Sequence, residues 1–218
     1  MQVFHPRING RITRSFLYTM VVMKNADTFI ADFFGRTLAA IEGTVCTGPT
    51  GATLSRDIGL EKFFLMVKKA HAAGRKVIII GNGGSSAIAS HTAVDLWKNG
   101  GIRAVAFNDS SLLTCISNDL GYENVFSAPV EMFADKGDLL VAISSSGKSA
   151  NILKAAKTAS ARGCGIVTMS GFGERNPLRK GGEVNFYVPS NGYGFVETAH
   201  AMLCHCIVDM VIAAKTDK

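Results

Sequence analysis

The chain lacks the features that mark several large classes of protein. No apolar run reaches eighteen residues, so the sequence predicts no membrane span. Only 18% of its 218 residues are charged while 47% are hydrophobic, and this composition excludes an intrinsically disordered chain. The five cysteines are odd in number and scattered along the sequence. They therefore argue against a disulfide framework and favour reduced thiols in the cytoplasm.

Acidic residues are absent from the start of the chain, which explains most of its net charge of +6. Residues 1–25 contain four basic residues and no acidic one, so the rest of the chain carries only +2. We interpret residues 1–23 as a basic, disordered leader, with a secretory signal as the alternative, and residues 24–218 as a single domain with an N-terminal helix. Because the domain itself is nearly neutral, we expect no nucleic-acid partner and no membrane partner.

The remaining sequence alternates between two hydrophobic periods. Short apolar or β-branched stretches predict buried strands, and spacings of three and four residues predict the helices between them. Strands are predicted at 76–80, 103–107, 138–144, 165–170 and 184–189, a loop at 43–51 and a long last helix at 195–215. This alternation predicts an α/β fold, a three-layer sandwich in which helices flank a central parallel sheet.

The first candidate site is a glycine loop, Gly81-Asn-Gly-Gly-Ser-Ser86, between a predicted strand and a helix. Glycines let the backbone approach a ligand, and the start of a helix offers N–H groups to an anion. A dinucleotide fingerprint requires a third glycine at position 86 and an acid about 20 residues later, but the chain has Ser86 and Arg103. The loop therefore indicates a phosphate or a sugar, or only a tight turn.

The second candidate site is a serine loop, Ser144-Ser-Ser-Gly-Lys-Ser149, which follows another predicted strand. Its four hydroxyls and the helix that it opens form a possible phosphate cradle. The spacing differs from that of a Walker loop, and a capped serine-rich turn is the structural alternative. Two such loops at strand ends of one sheet favour ligand binding, since ligands bind at the carboxyl ends of parallel strands.

The third candidate site consists of metal-binding side chains on two predicted helices. His91 and Asp95 are four residues apart and share a helix face, while Glu197 and His205 are eight residues apart on the last helix. His200, three residues from Glu197, is placed to share that face. Two carboxylates and two histidines in this arrangement suit acid–base chemistry, with or without a divalent ion.

Four segments together resemble the sugar isomerase (SIS) family and, more narrowly, the phosphoheptose isomerases. They are GNGGSSAIASH, ISNDLGYENVF, ISSSGKSANILKA and the pattern E-x-x-H-x-x-x-x-H at 197–205. The resemblance implies a flavodoxin-like SIS fold and a cytoplasmic homotetramer. It also implies isomerisation of sedoheptulose 7-phosphate to D-glycero-D-manno-heptose 7-phosphate through an enediolate, in heptose biosynthesis for lipopolysaccharide or capsule.

The resemblance also implies roles for individual residues. The phosphate would be bound by Ser85, Ser144, Ser145, Ser146 and Ser149. The sugar would be contacted by Asn82, Gly83, Gly84, Asn118, Asp119 and Glu197. One Zn²⁺ per subunit would be held by His91, Asp95, Glu197 and His205, and the acid–base pair would be Asp95 and His205.

The chain departs from the family pattern at the sugar end of this implied site. It has Asp95 for glutamate, Glu197 for glutamine, Asn99 for arginine and Gly194 for aspartate. We therefore predict a related sugar phosphate as substrate, or a slower or more specialised isomerase. A non-catalytic SIS protein that binds a protein partner, of the replication-initiator-associating type, and a sugar-phosphate sensor are the alternatives. The presence of His205 favours the enzyme.

Overall fold

The computed structural model describes residues 26–216, so the predicted leader at 1–23 lies outside the described residues. The α-helices are α1 (Ala26–Glu42), α2 (Arg56–Ala72), α3 (Gly84–Lys98), α4 (Ser110–Leu120), α5 (Ser127–Phe133), α6 (Ala150–Ala161) and α7 (Tyr193–Thr216). The strands are β1 (Val45–Thr47), β2 (Thr53–Leu54), β3 (Val77–Gly81), β4 (Ala104–Ala106), β5 (Leu139–Ser144), β6 (Gly165–Ser170) and β7 (Val184–Tyr187). Short 3₁₀ helices occupy Tyr122–Asn124 and Pro177–Lys180.

The strands form one seven-stranded sheet in the order β2-β1-β7-β6-β5-β3-β4. The five strands from β7 to β4 are parallel, which confirms the predicted α/β sandwich. Strands β1 and β2 form an antiparallel extension at the β7 edge. The loop prediction at 43–51 was wrong at β1, because three residues are too few to show a period of two and β1 exists only through its pairing with β7.

The central strands are buried on both faces, and alternate residues enter two separate cores. Val77 and Ile79 of β3 pack with apolar residues of α2, α3 and α7, whereas Ile78 and Ile80 pack with residues of α5 and α6. Because side chains alternate across a strand, a continuous apolar run such as 77–80 serves both faces. The result is the three-layer arrangement that the sequence predicts.

Strand β3 marks the point where the chain reverses its direction across the sheet. The connection from β3 leads to β4 on one side, whereas β5 pairs with β3 on the other side. Helices that leave two neighbouring strands in opposite directions open a crevice at the carboxyl ends of those strands. The glycine loop follows β3 and the serine loop follows β5, so both open into this crevice.

The last helix, α7, is long and apolar enough to cross a membrane by length and composition, with a mean hydropathy of 1.5. Half of that segment is buried within the molecule, and Leu203, Ile207 and Val211 belong to the core between the sheet and α3. Helix α7 runs parallel to α3. The Glu197 carboxylate, near the start of α7, lies over Gly84 at the start of α3, and Val211, near the end of α7, lies beside Gly100 just after the end of α3. Helix α7 is therefore a core helix.

Helix α1 packs on α7 and leaves an apolar surface exposed. The Phe33 and Phe195 ring centroids are 5.2 Å apart, and the Arg36 guanidinium lies 4.6 Å from the Phe195 centroid. The exposed apolar side chains of α1 are Phe29, Ile30, Phe33, Phe34 and Leu38. Only Ala40 of this helix is buried, so the predicted amphipathic helix turns most of its apolar face away from the domain.

Candidate active site

The glycine loop and the serine loop line one cavity of about 340 Å³ at the crevice. The cavity wall contains nine of the eleven predicted phosphate and sugar residues, namely Asn82, Gly83, Gly84, Ser85, Ser144, Ser145, Ser146, Ser149 and Glu197. Tyr193 and Glu197, both from the first turns of α7, complete the wall. The structure therefore brings together two loops that are about 60 residues apart in the chain.

A reciprocal pair of amides ties the two loops to each other. The Asn82 amide donates to Asn151 Oδ1 at 3.0 Å, and the Asn151 amide donates to Asn82 Oδ1 at 2.9 Å. Asn82 Oδ1 also accepts from the Tyr122 hydroxyl at 3.1 Å, and Asn151 Oδ1 accepts from the Ile152 backbone at 2.9 Å. The sequence analysis missed Asn151 and Tyr122, because nothing local distinguishes them from surface residues.

The serine loop presents hydroxyl groups with unused hydrogen-bonding capacity. The Ser144 and Ser149 hydroxyls share a bond of 3.2 Å, and Ser146 Oγ accepts from the Lys148 backbone at 3.2 Å. Ser145 Oγ is buried and has no partner within residues 26–216. Buried polar groups usually have a hydrogen-bond partner, so this hydroxyl is available to a ligand that enters the cavity.

Two helix N-termini point into the same cavity. The caps of α3 and α6 are Gly83 and Ser149, and neither makes a side-chain capping bond to any described residue. The free N–H groups and the helix dipoles at these positions favour a bound anion. The cavity wall contains one acidic residue, Glu197, and no basic residue among the residues described. An anion bound in this cavity would therefore contact hydroxyl and N–H groups rather than basic side chains.

The shape of the serine loop is set by Asn176, which the sequence analysis also missed. Gly147 has a φ of 61°, and its missing Cβ would overlap the Asn176 carboxamide. The Asn176 amide donates to Ser170 Oγ at 3.1 Å and to the carbonyls of Gly171 and Gly173. These bonds hold the buried Asn176 carboxamide in place against Gly147 of the serine loop, and glycine at 147 is required by both the backbone angle and the close approach.

Glu197 lies at the phosphate end of the site rather than in the metal cluster. Its carboxylate packs directly over Gly84, so that a Cβ at position 84 would overlap it. The group of potential ligand atoms within 4.8 Å of one another contains His91, Asp95 and His205 but not Glu197. Of the four predicted metal ligands, the structure therefore brings three together. The eight-residue spacing predicted a shared helix face, yet it also separates Glu197 from His205 by about 12 Å along α7.

His91, Asp95 and His205 form a half-exposed cluster where α3 and α7 lie side by side. Asp95 Oδ2 is 3.2 Å from His91 Nε2 and 3.9 Å from His205 Nδ1, and the two imidazole centroids are 5.3 Å apart. The Asn99 amide donates to the other oxygen, Asp95 Oδ1, at 3.2 Å. Two imidazoles and a carboxylate with an open side fit a catalytic Zn²⁺ site with three protein ligands.

Asn118 and Asp119, the remaining predicted sugar contacts, lie outside the cavity wall. Both are exposed near the end of α4, where the Asn118 amide donates to Asp119 Oδ1 at 2.7 Å. The neighbouring Cys115 thiol lies 3.6 Å from Asp119 Oδ2. The adjacent Tyr122, which bonds to Asn82, connects this segment to the cavity. In the single chain, these two side chains do not reach the phosphate loops.

His200 and Cys204, two reactive side chain types on α7, belong to the core. Burial lowers the pKa of His200 to about 4, and its Nε2 donates to the Ser170 carbonyl at 3.2 Å. Burial raises the pKa of the Cys204 thiol to about 12, so this residue is not a nucleophile at neutral pH. His200 therefore does not share the functional face that its spacing from Glu197 suggests.

The chain resembles known proteins over most of its length. Residues 53–171 match the SIS domain. A phosphoheptose isomerase from Aliarcobacter butzleri is 37% identical over 160 residues, which are 70% of this chain and 83% of that protein. A phosphoheptose isomerase from Sodalis glossinidius is 38% identical over 67% of this chain and 78% of its own length.

The chain belongs to the phosphoheptose isomerase family of SIS-domain proteins. The fold agrees, because the structure of a phosphoheptose isomerase from Neisseria gonorrhoeae superposes with a TM-score of 0.75 at 28% identity. That alignment covers 85% of this chain and 99% of the other. The resemblance read from the four sequence segments is confirmed at the level of family and fold, and the family is one of aldose–ketose isomerases.

Proposed function

We propose that the chain isomerises sedoheptulose 7-phosphate to D-glycero-D-manno-heptose 7-phosphate. The observation that carries the proposal is the parallel pair α3 and α7, which has the phosphate cavity at one end and the cluster of His91, Asp95 and His205 farther along. A phosphate handle and an acid–base group on one rigid pair of helices are the two parts that this reaction requires.

The separation between these two parts supports a long sugar phosphate. Glu197 lines the cavity and His205 belongs to the cluster, and eight residues of helix between them span about 12 Å. In an extended heptose 7-phosphate the reacting carbons lie roughly 9 Å from the phosphorus, taking single bonds of about 1.5 Å. A seven-carbon substrate therefore nearly spans the site, whereas a triose phosphate is too short.

In the proposed mechanism, the serine loop and the two helix N-termini bind the phosphate. Ser145 Oγ gains its missing partner, and the N–H groups of α3 and α6 surround the dianion. This binding is remote from the reacting carbons, so its energy orients the substrate along the groove between α3 and α7.

Asp95 and His205 then carry out two proton transfers that form an enediol and two that convert it to the aldose. Asp95 removes a proton from C1 of the ketose while a ring N–H of His205 donates one to the C2 carbonyl oxygen, which forms a C1=C2 enediol. Asp95 returns its proton to C2, and His205 takes the proton of O1, so that C1 becomes the aldehyde and both side chains regain their first state. The Asn99 amide on Asp95 Oδ1 leaves Oδ2 on the histidine side.

We further propose that the cluster holds one Zn²⁺ per subunit through His91, Asp95 and His205. A bound zinc ion would stabilise negative charge on the substrate oxygens as a Lewis acid. Elemental analysis of the wild type should show metal close to one equivalent, and His205→Ala should show nearly none. The same low content in both proteins would refute the metal site. His71→Ala, an exposed histidine of α2, is the matched control.

We also propose that the protein is a cytoplasmic homotetramer in which copies of the chain cover α1. Phe29 and Phe34 are each 67% exposed, and Leu38 is 56% exposed. A continuous apolar stripe of this kind is unusual on the surface of a monomer and marks an interaction site. Light scattering should give four chains per particle, and Phe29→Glu/Phe34→Glu should reduce this number. A monomeric wild type would refute the assembly.

Turnover of the proposed substrate is the decisive experiment. The purified protein is incubated with sedoheptulose 7-phosphate, with and without Zn²⁺, and the aldose is followed by NMR. We expect product with the wild type and His71→Ala, and a loss of at least about 100-fold with Asp95→Asn. An increase in rate for Asp95→Glu would show that the shorter side chain limits the reaction. No product from the wild type under either condition would refute the proposed function.

A further inference from the structure

One residue beside the cavity adopts a strained backbone conformation. Phe172 has a φ of 55°, and within residues 26–216 it is the only non-glycine residue in the left-handed region. A bulky residue seldom adopts this conformation, because its Cβ crowds the neighbouring backbone. Such strain persists where the surroundings enforce it, and it concentrates at functional sites. Phe172 is the second residue after β6, on the same edge of the sheet as the serine loop.

Hydrogen bonds on both sides of Phe172 enforce this conformation. The Phe172 backbone N–H donates to the Ser190 carbonyl at 2.9 Å, and its carbonyl accepts from the Tyr187 hydroxyl at 2.8 Å. The preceding residue, Gly171, donates to the Ser145 carbonyl at 2.9 Å. The strained segment is therefore anchored to the serine loop at one end and to the chain just before α7 at the other.

The strained backbone places the Phe172 ring against Tyr193. The two ring centroids are 4.8 Å apart with an interplanar angle of 74°, an edge-to-face contact of the favourable kind. Tyr193 lines the cavity together with five serines and Glu197. It is 61% exposed, and its hydroxyl has no hydrogen-bond partner in the part of the chain that the structure describes.

We propose that Tyr193 contacts the bound sugar phosphate and that Phe172 is a positioning residue which holds the Tyr193 ring at the cavity wall. The proposal rests on the proposed function. The free hydroxyl is a donor suited to a phosphate oxygen or a sugar hydroxyl, and the ring forms part of the cavity wall. Without Phe172, an exposed tyrosine at the start of a helix would sample several rotamers and lose this contact.

Replacing each ring in turn tests the proposal. Tyr193→Ala should raise KM for sedoheptulose 7-phosphate about ten-fold and change kcat less than three-fold, because it removes substrate binding remote from the reacting carbons. Phe172→Gly should raise KM about five-fold and lower Tm only modestly, because relief of the left-handed strain offsets part of the packing lost against the core cluster of Val188 and Phe195. Phe172→Tyr keeps an aromatic ring and should restore KM to within two-fold of the wild type. Met132→Ala, an exposed residue of α5, is the control.

Each outcome of this experiment decides the proposal. KM values within two-fold of the wild type for both Tyr193→Ala and Phe172→Gly would overturn it, as would a parallel loss of Tm and kcat, since that result describes a merely structural contact. If the wild type shows no turnover, the proposed function is refuted and KM cannot be compared. Calorimetric titration with sedoheptulose 7-phosphate then tests whether Tyr193 contacts the sugar phosphate, independently of catalysis. Weaker binding to Tyr193→Ala supports it, whereas equal binding, or no binding to the wild type, overturns it.

Discussion

Removal of the Asn151 carboxamide should loosen the junction between the two loops of the active site. Asn151 is 2% exposed and makes three hydrogen bonds, two with Asn82 and one with the Ile152 backbone. At about 1 kcal/mol for each bond, Asn151→Ala should lower the free energy of unfolding by about 3 kcal/mol. For a domain of this size, that loss corresponds to a decrease in Tm of roughly 6–12 °C.

A double-mutant cycle isolates the amide pair from the other contacts. Asn82→Ala and Asn151→Ala each remove the same two bonds, so the double variant should be more stable than the sum of the single effects predicts, by about 2 kcal/mol. The measurement is urea unfolding at one fixed protein concentration, since assembly makes stability depend on concentration. Asn191→Ala, on the exposed loop before α7, is the control.

Additivity of the two single substitutions would refute this reasoning. If the coupling free energy lies within about 0.5 kcal/mol of zero, the reciprocal bonds contribute nothing, and another contact must align the loops. The isomerase assay supplies a second comparison. Because the pair aligns the serine loop with the glycine loop, Asn151→Ala should raise KM for the sugar phosphate more than it lowers kcat.

Three further predictions concern buried polar groups. Burial lowers the pKa of His200 from 6.5 to about 4, so as the pH falls the unfolded chain binds a proton before the folded one does. The free energy of unfolding should therefore decrease by about 3 kcal/mol between pH 6.5 and pH 4. Chemical unfolding of His200→Gln should show a weaker dependence of this free energy on pH. Asp138 is fully buried with Lys76 at 2.6 Å, so Asp138→Ala should cost about 3–5 kcal/mol, against less than about 1 kcal/mol for the exposed Glu131→Ala. Asn176→Ala should raise KM at least five-fold by releasing the serine loop, and an unchanged KM would contradict its role.

The phosphate end of the site was predictable because its signals are local. Each loop combines a strand, a run of glycine or serine and a helix start within about ten residues, and parallel strands place such loops on one edge of the sheet. The supports beneath the loops were not predictable. Asn151 contacts Asn82, which is 69 residues away in sequence, and Asn176 contacts Gly147, which is about 30 residues away. The sequence around each asparagine does not indicate such a contact.

The four predicted metal ligands show what the spacing of residues along a helix can and cannot predict. The four-residue separation of His91 and Asp95 predicted a shared face, and the structure places their ligand atoms 3.2 Å apart. For Glu197 and His205 the angular position on the helix also allowed a common ligand. Only the packing of α7 against α3 sends Glu197 to Gly84 and His205 to Asp95. The angular position of a side chain depends on its own helix alone. Which residue it meets on a neighbouring helix depends on how the two helices pack along their length.

The amino-acid sequence by itself determined the family, the α/β class, the two loops at the ends of β3 and β5 and the uneven distribution of charge. The family was read from the resemblance of four segments, and the other properties follow from periodicity and composition within single elements, where each residue acts on its near neighbours. Tertiary structure alone decided the short antiparallel strand β1, the position of Glu197 over Gly84, the amide pair and the left-handed Phe172 beside Tyr193. Each of these depends on contacts between distant segments, whose energies exist only once the chain has folded.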